Sequence, residues 1–80
     1  MYIEDAVIEA GGAAKVASEF EINPVSVYEW ITRDKLPAPR VIPLAKLTNW
    51  KFTPHMLDPV LYPNPTDGIP ADVVGPQPLS

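Results

Sequence analysis

Residues 13–33 read AAKVASEFEINPVSVYEWITR, and their spacing predicts two short helices joined by a tight turn. Ala13, Val16, Ala17 and Phe20 recur at helical intervals and define one apolar face. Ala17 is small, as a position must be where a second helix crosses closely. Ile22 comes after the turn and is placed to fill the gap between the helices. Asn23 suits the N-cap, because its side-chain oxygen can accept a hydrogen bond from an unpaired first-turn amide. Pro24 fits the first helical position, where no amide partner is needed. Val27, Trp30 and Ile31 fall at i, i+3 and i+4 and supply the inward face of the second helix. Ala17, Ile22, Val27 and Trp30 together have the spacing of a helix-turn-helix, a motif that presents the outer face of its second helix to the DNA major groove. The same spacing also fits a plain helical hairpin with no DNA role. Glu21 stands where such a turn ordinarily holds glycine, and a positive φ there strains any residue with a Cβ.

Charge divides the chain into three parts. The net charge is −4, which is awkward for a polyanion partner. Yet residues 1–23 set Lys15 alone against Glu4, Asp5, Glu9, Glu19 and Glu21, and residues 58–80 carry only Asp58, Asp67 and Asp72. Between them, Arg33, Lys35, Arg40, Lys46 and Lys51 outnumber Glu29 and Asp34. The basic stretch therefore contains the second helix of the motif and the segment C-terminal to it. Phosphate contacts depend on such local charge rather than on the total.

Eighty residues make one small domain. With no cysteine, neither disulfides nor thiolate metal sites can reinforce it. Dimerisation is the remaining obvious source of stability for a core of this size. No apolar run approaches the ~20 residues of a membrane span. The N-terminal MYIEDAVIEA has acids where a signal peptide needs cations. The expectation is a cytoplasmic protein with no membrane role. His55 is the single histidine, so no metal-ligand set exists, and no nucleophile–base pair or phosphate-binding glycine motif is present. Neither an enzyme nor a cofactor is expected.

Along the chain, Ile3, Ala6, Val7 and Ala10 form the stripe of a first helix that Gly11-Gly12 ends. Its acids, Glu4, Asp5 and Glu9, read as a solvated face or as a surface for a protein partner. Residues 33–39, RDKLPAP, form an exit loop stiffened by Pro37 and Pro39. A fourth helix comes next, with Val41, Leu44, Ala45 and Leu47 inside. Pro43 belongs in or near its first turn, so that helix is short and ends by Asn49. Trp50 and Phe52 alternate with Lys51, an extended, strand-like pattern. Thr53 and Pro54 open a last short helix through Leu57, and Pro59 stops it. The domain then spans residues 1–62. Residues 63–80 are a tail whose five prolines favour extended conformations over helix. Its Ile69, Val73, Val74 and Leu79 make it either a flexible end or a strap onto a partner.

These residues resemble a known group. The helix ending at Gly12, the run VASEFEINPVSVYEW, the Pro-flanked loop before Arg40, LAKLT and KFTPHMLDPVLYP are similar to small Cro-like repressors of phages and prophages. The similarity is greatest to the subgroup of YdaS-type antitoxins, and it covers residues 2–62. Thr53–Tyr62 is its more discriminating part. The resemblance implies an all-α, lambda-repressor-like domain of about five short helices that acts as a dimer on a short operator. The chain departs from the group's pattern at Glu21, at Ala45 (where an acid is expected), at Asn49-Trp50 (often two glycines) and at Asp58 (frequently basic).

The function expected on these grounds is sequence-specific binding of double-stranded operator DNA by a homodimer, repressing transcription in a phage or prophage switch. Base contacts are expected from Pro24, Val25, Ser26, Tyr28 and Glu29 at the exposed side of the second helix. Val25 can meet a thymine methyl. Glu29 either accepts from cytosine or pairs with Arg33 at i+4. Lys15, Asn23, Arg33, Lys35 and Arg40 are the expected phosphate contacts. The alternative is a protein-interaction module, such as an antitoxin or a phage-encoded inhibitor, that binds its partner through the acidic N-terminal face or the tail.

Overall fold

A computed structural model of the chain describes residues 2–74. Six helices succeed one another: α1 (Tyr2–Glu9), α2 (Ala13–Phe20), α3 (Pro24–Arg33), α4 (Ala38–Leu47), α5 (Pro54–Leu57) and α6 (Ala71–Val74). The described residues contain no strand. No helix among them is long and apolar enough to cross a membrane. The architecture is thus the expected all-α one, with α2 and α3 forming the most extensive helix pair.

The faces read from the spacing are turned toward the core, although Ala13, Phe20, Ile31 and Leu47 are only partly buried there. Ile3, Ala6 and Val7 of α1 pack against Val16 and Ala17 of α2 and against Val27 and Trp30 of α3. Val41, Leu44 and Ala45 of α4 and Leu57 of α5 complete the core. Ile22 and Phe20 are partly buried at its edge. Each aliphatic side chain so buried contributes roughly 1.5–3 kcal/mol. Ala17 and Ala45 are buried, at 2% and 0% exposure, and a longer side chain at either would overfill the core. Leu36, 2% exposed, also joins the core from the loop between α3 and α4, a contribution not foreseen from the sequence.

The helices are tied off by one repeated device. After α1, the Gly12 N–H reaches the Val7 carbonyl (2.8 Å) while the Gly11 N–H reaches Ile8 (3.0 Å). After α2, Ile22 bonds to Ala17 (2.9 Å) and Glu21 to Ser18 (3.2 Å). After α3, Lys35 bonds to Trp30 (3.1 Å) and Asp34 to Ile31 (3.2 Å). After α4, Trp50 bonds to Ala45 (3.0 Å) and Asn49 to Lys46 (2.9 Å). This paired 6→1 and 5→2 pattern is the Schellman motif, which requires a left-handed residue at its centre. Glycine fills that place once, at Gly11. Glu21 (φ 57°), Asp34 (φ 53°) and Asn49 (φ 60°) fill it elsewhere. Glu21 therefore adopts the strained turn conformation rather than avoiding it. The backbone also keeps a left-handed conformation at both Asn49 and Trp50 (φ 64°).

Three sequence expectations are corrected. First, Pro43 is not in the first turn. The helix starts early, at Ala38, and Pro43 lies inside it. Pro39 occupies the first turn, where its missing amide costs nothing, and burial of Val41, Leu44 and Ala45 outweighs the roughly 3 kcal/mol that an interior proline costs. The exit loop accordingly shrinks to 34–37.

Second, Trp50–Phe52 is a turn rather than an extended run. Buried Thr48 organises it: its hydroxyl donates to the Ala45 carbonyl (2.7 Å) and accepts from the Phe52 N–H (3.1 Å). Third, the tail is not uniformly extended. Asp67 accepts from the Asn64 N–H (2.9 Å) in a turn, and Gly68 (φ 77°) lies against Pro54 and Tyr62. Ala71–Val74 then forms one helical turn, possible because the stretch after Pro70 is free of proline until Pro76. The part of the tail beyond Val74 lies outside the described residues.

Candidate functional site

The turn between α2 and α3 sets how α3 is displayed. Asn23 caps α3 as its sequence suggests, its side-chain oxygen accepting from the Val25 N–H at 2.9 Å, with Pro24 in the first turn. With Val27 fully buried and Trp30 7% exposed, the helix is pinned by one side. The opposite side carries Val25 (60% exposed), Tyr28 (58%), Glu29 and Thr32, at the 3–4 spacing of one helical face. Nothing in the chain's own core uses these side chains. They combine an apolar methyl pair, a phenol that donates and accepts, a carboxylate and a hydroxyl. Thr32 was not foreseen as a site residue, although its place seven residues beyond Val25 puts it on the same face.

Other expected site residues are placed less simply. Ser26 is half-buried rather than on the open face. It lines a cavity of about 320 Å³ between α3 and the loop, together with Glu29, Trp30, Arg33 and Lys35. Four of the expected contacts, Ser26, Glu29, Arg33 and Lys35, are thus brought round one depression with Trp30 as its apolar floor. Glu29 and Arg33 share this depression, yet no ion pair joins them, so the carboxylate keeps its acceptor capacity. Arg33 and Lys35 are both exposed.

Lys15, Asn23 and Arg40 are not part of that cluster. Lys15 pairs with Glu19 one turn on (3.3 Å), an exposed contact that contributes little stability. The oxygen of Asn23 is committed to its cap. Arg40 lies over the Phe20 ring, 5.2 Å from its centroid, so its guanidinium is held at the junction of α2 and α4. Lys51 reaches back to Glu9 of α1 at 3.0 Å, neutralising part of the acidic face. His55 Nδ1–H donates to the Tyr62 carbonyl (2.8 Å) and secures the segment after α5.

A family model described as "Bacterial toxin YdaS" matches residues 3–66, which takes in α1 to α5 and the turn beyond Tyr62. No curated protein and no solved structure matches the chain.

Proposed function

The chain belongs to the family described as Bacterial toxin YdaS, and from that premise we propose that it is a sequence-specific DNA-binding regulator, acting as a repressor on an operator of a phage or prophage switch. The observation that carries this reading is the outer face of α3. Val25 and Tyr28 are more than half exposed on a helix whose other face is locked into the core, next to a cluster with two exposed cations. A ten-residue helix is about 15 Å long and, with its side chains, about as wide as the major groove. Val25 offers an apolar contact for a thymine methyl, Tyr28 a hydroxyl, and Glu29 an acceptor for the amino group of cytosine. Arg33, Lys35 and Arg40 hold phosphates, with Lys15 at the far end of α2.

Three or four phosphate contacts per protomer give affinity a definite salt dependence. Raising salt from about 50 mM to about 200 mM should weaken binding by roughly 40–150-fold per protomer. The test is a titration of duplexes from around the protein's own promoter, beside an unrelated duplex, at both salt concentrations. Tight, salt-sensitive binding restricted to the promoter duplex supports the reading. Equal affinity for both duplexes, or no affinity, removes it.

The second reading is a toxin–antitoxin type module that works on a protein partner. It is favoured by the family's own description as a toxin and by the acids of α1. Such a module shows no DNA affinity at either salt concentration.

A further inference from the structure

The six cations of the chain are not held alike. Lys15 pairs with Glu19, and Lys51 with Glu9. Arg33, Lys35 and Lys46 are exposed. Arg40 alone is half-buried. It sits in the first turn of α4 with its guanidinium carbon 5.2 Å from the centroid of the Phe20 ring. That ring is itself braced, 6.2 Å from the ring of Trp30, which is 7% exposed. Glu19 and Glu21 flank Phe20 in sequence, yet among the described residues no carboxylate pairs with Arg40. In a chain of net charge −4, a cation held in place without an internal anion is free to take one from outside.

The attraction of a ring face for a cation uses the charge and leaves the N–H donors of the guanidinium available. Arg40 can therefore rest on Phe20 and still present its fork of donors to the oxygens of a phosphate. The gain is preorganisation. A free arginine loses rotamer freedom when it grips a phosphate, and one already held loses less. We propose that Phe20 is a positioning residue for DNA binding, its ring holding the Arg40 guanidinium ready for one backbone phosphate. Arg40 is thereby the anchoring phosphate contact, while the exposed Arg33 and Lys35 add charge without a fixed geometry. The inference rests on the DNA-binding reading and adds to it a residue that itself touches no DNA. It also gives a role to the large aromatic that ends α2 and that the core only partly covers.

A double-mutant cycle on affinity for the promoter duplex tests this. Phe20→Leu keeps an apolar side chain at the edge of the core and removes the ring face. It is expected to weaken binding by about two- to fivefold, the worth of an exposed cation–ring contact. The salt slope should not change, because every charge remains. Arg40→Gln is expected to lower that slope by about one. In the Arg40→Gln background, Phe20→Leu should have no further effect. Phe20→Tyr, which keeps the ring, should bind like the wild type. Equal losses from Phe20→Leu in both backgrounds would mean that the ring acts on α3 through Trp30, and would overturn the inference with the DNA reading intact. A wild type with no affinity for the duplex overturns both. An NMR measurement on the free wild-type chain needs no variant to fold. The ring current of Phe20 should shield the Arg40 Hε resonance relative to that of Arg33, and equal shifts overturn the proposal.

Discussion

The ring of Phe20 stands 6.2 Å from that of Trp30, tilted by 46°, and so couples the last turn of α2 to the middle of α3. Arg40 of α4 also lies over the Phe20 ring, 5.2 Å from its centroid. This stack joins three helices at the point where the α2–α3 turn has to hold its angle. The orientation of the outer face of α3 depends on it, because that face has no packing of its own.

Removal of Trp30 should therefore be severe. Trp30→Ala is expected to cost about 3–5 kcal/mol, much of the stability available to a domain this small. Urea unfolding monitored by circular dichroism checks this. An unchanged midpoint would show that Trp30 does not close the core.

A subtler effect is expected at Thr48. Its hydroxyl is the partner of the Phe52 N–H, and Thr48→Val keeps the shape while leaving that amide unpaired. The expected loss is about 1–3 kcal/mol. Thr48→Ser should recover most of it, which a comparison of the two melting curves measures.

Glu21 gives the opposite sign. Its left-handed backbone costs about 1–2 kcal/mol for a residue with a Cβ. Glu21→Gly removes that strain but adds unfolded-state freedom worth about 0.5–1 kcal/mol. A net gain of up to about 1.5 kcal/mol is expected, and Glu21→Val should lose stability. A Glu21→Gly variant clearly less stable than wild type would mean that the carboxylate makes a compensating interaction.

At the proposed DNA face, Arg33 and Glu29 should behave differently. Arg33→Ala is expected to weaken all duplexes alike and to lower the salt slope by about one. Glu29→Gln is expected to relax preference at one base pair, by about 1–3 kcal/mol of discrimination. Titration against single-base operator variants at two salt concentrations reads both. A uniform gain for Glu29→Gln would show that the carboxylate only repels phosphate, and would leave Val25 and Tyr28 as the base readers.

Much of the fold was legible in the chain because its signals act over a few residues. Asn23-Pro24 and Thr53-Pro54 start helices through a side-chain oxygen and a proline ring, whatever lies elsewhere. Gly11-Gly12 ends one for a similarly local reason, and the intervals of Val16, Ala17, Val27 and Trp30 determine which sides turn inward. The exposed face of α3 is deduced from those intervals by subtraction. Tertiary structure alone decided the rest. Pro43 sits inside α4 because burial of Val41 and Leu44 outweighs a local penalty. Leu36 is core because α3 and α4 leave a space that its loop can reach. Ser26 is half-buried, and Arg40 lies on Phe20, only because residues distant in sequence come to stand beside them. Caps and periodicity are properties of a segment, whereas burial and side-chain partners are properties of the assembled helices.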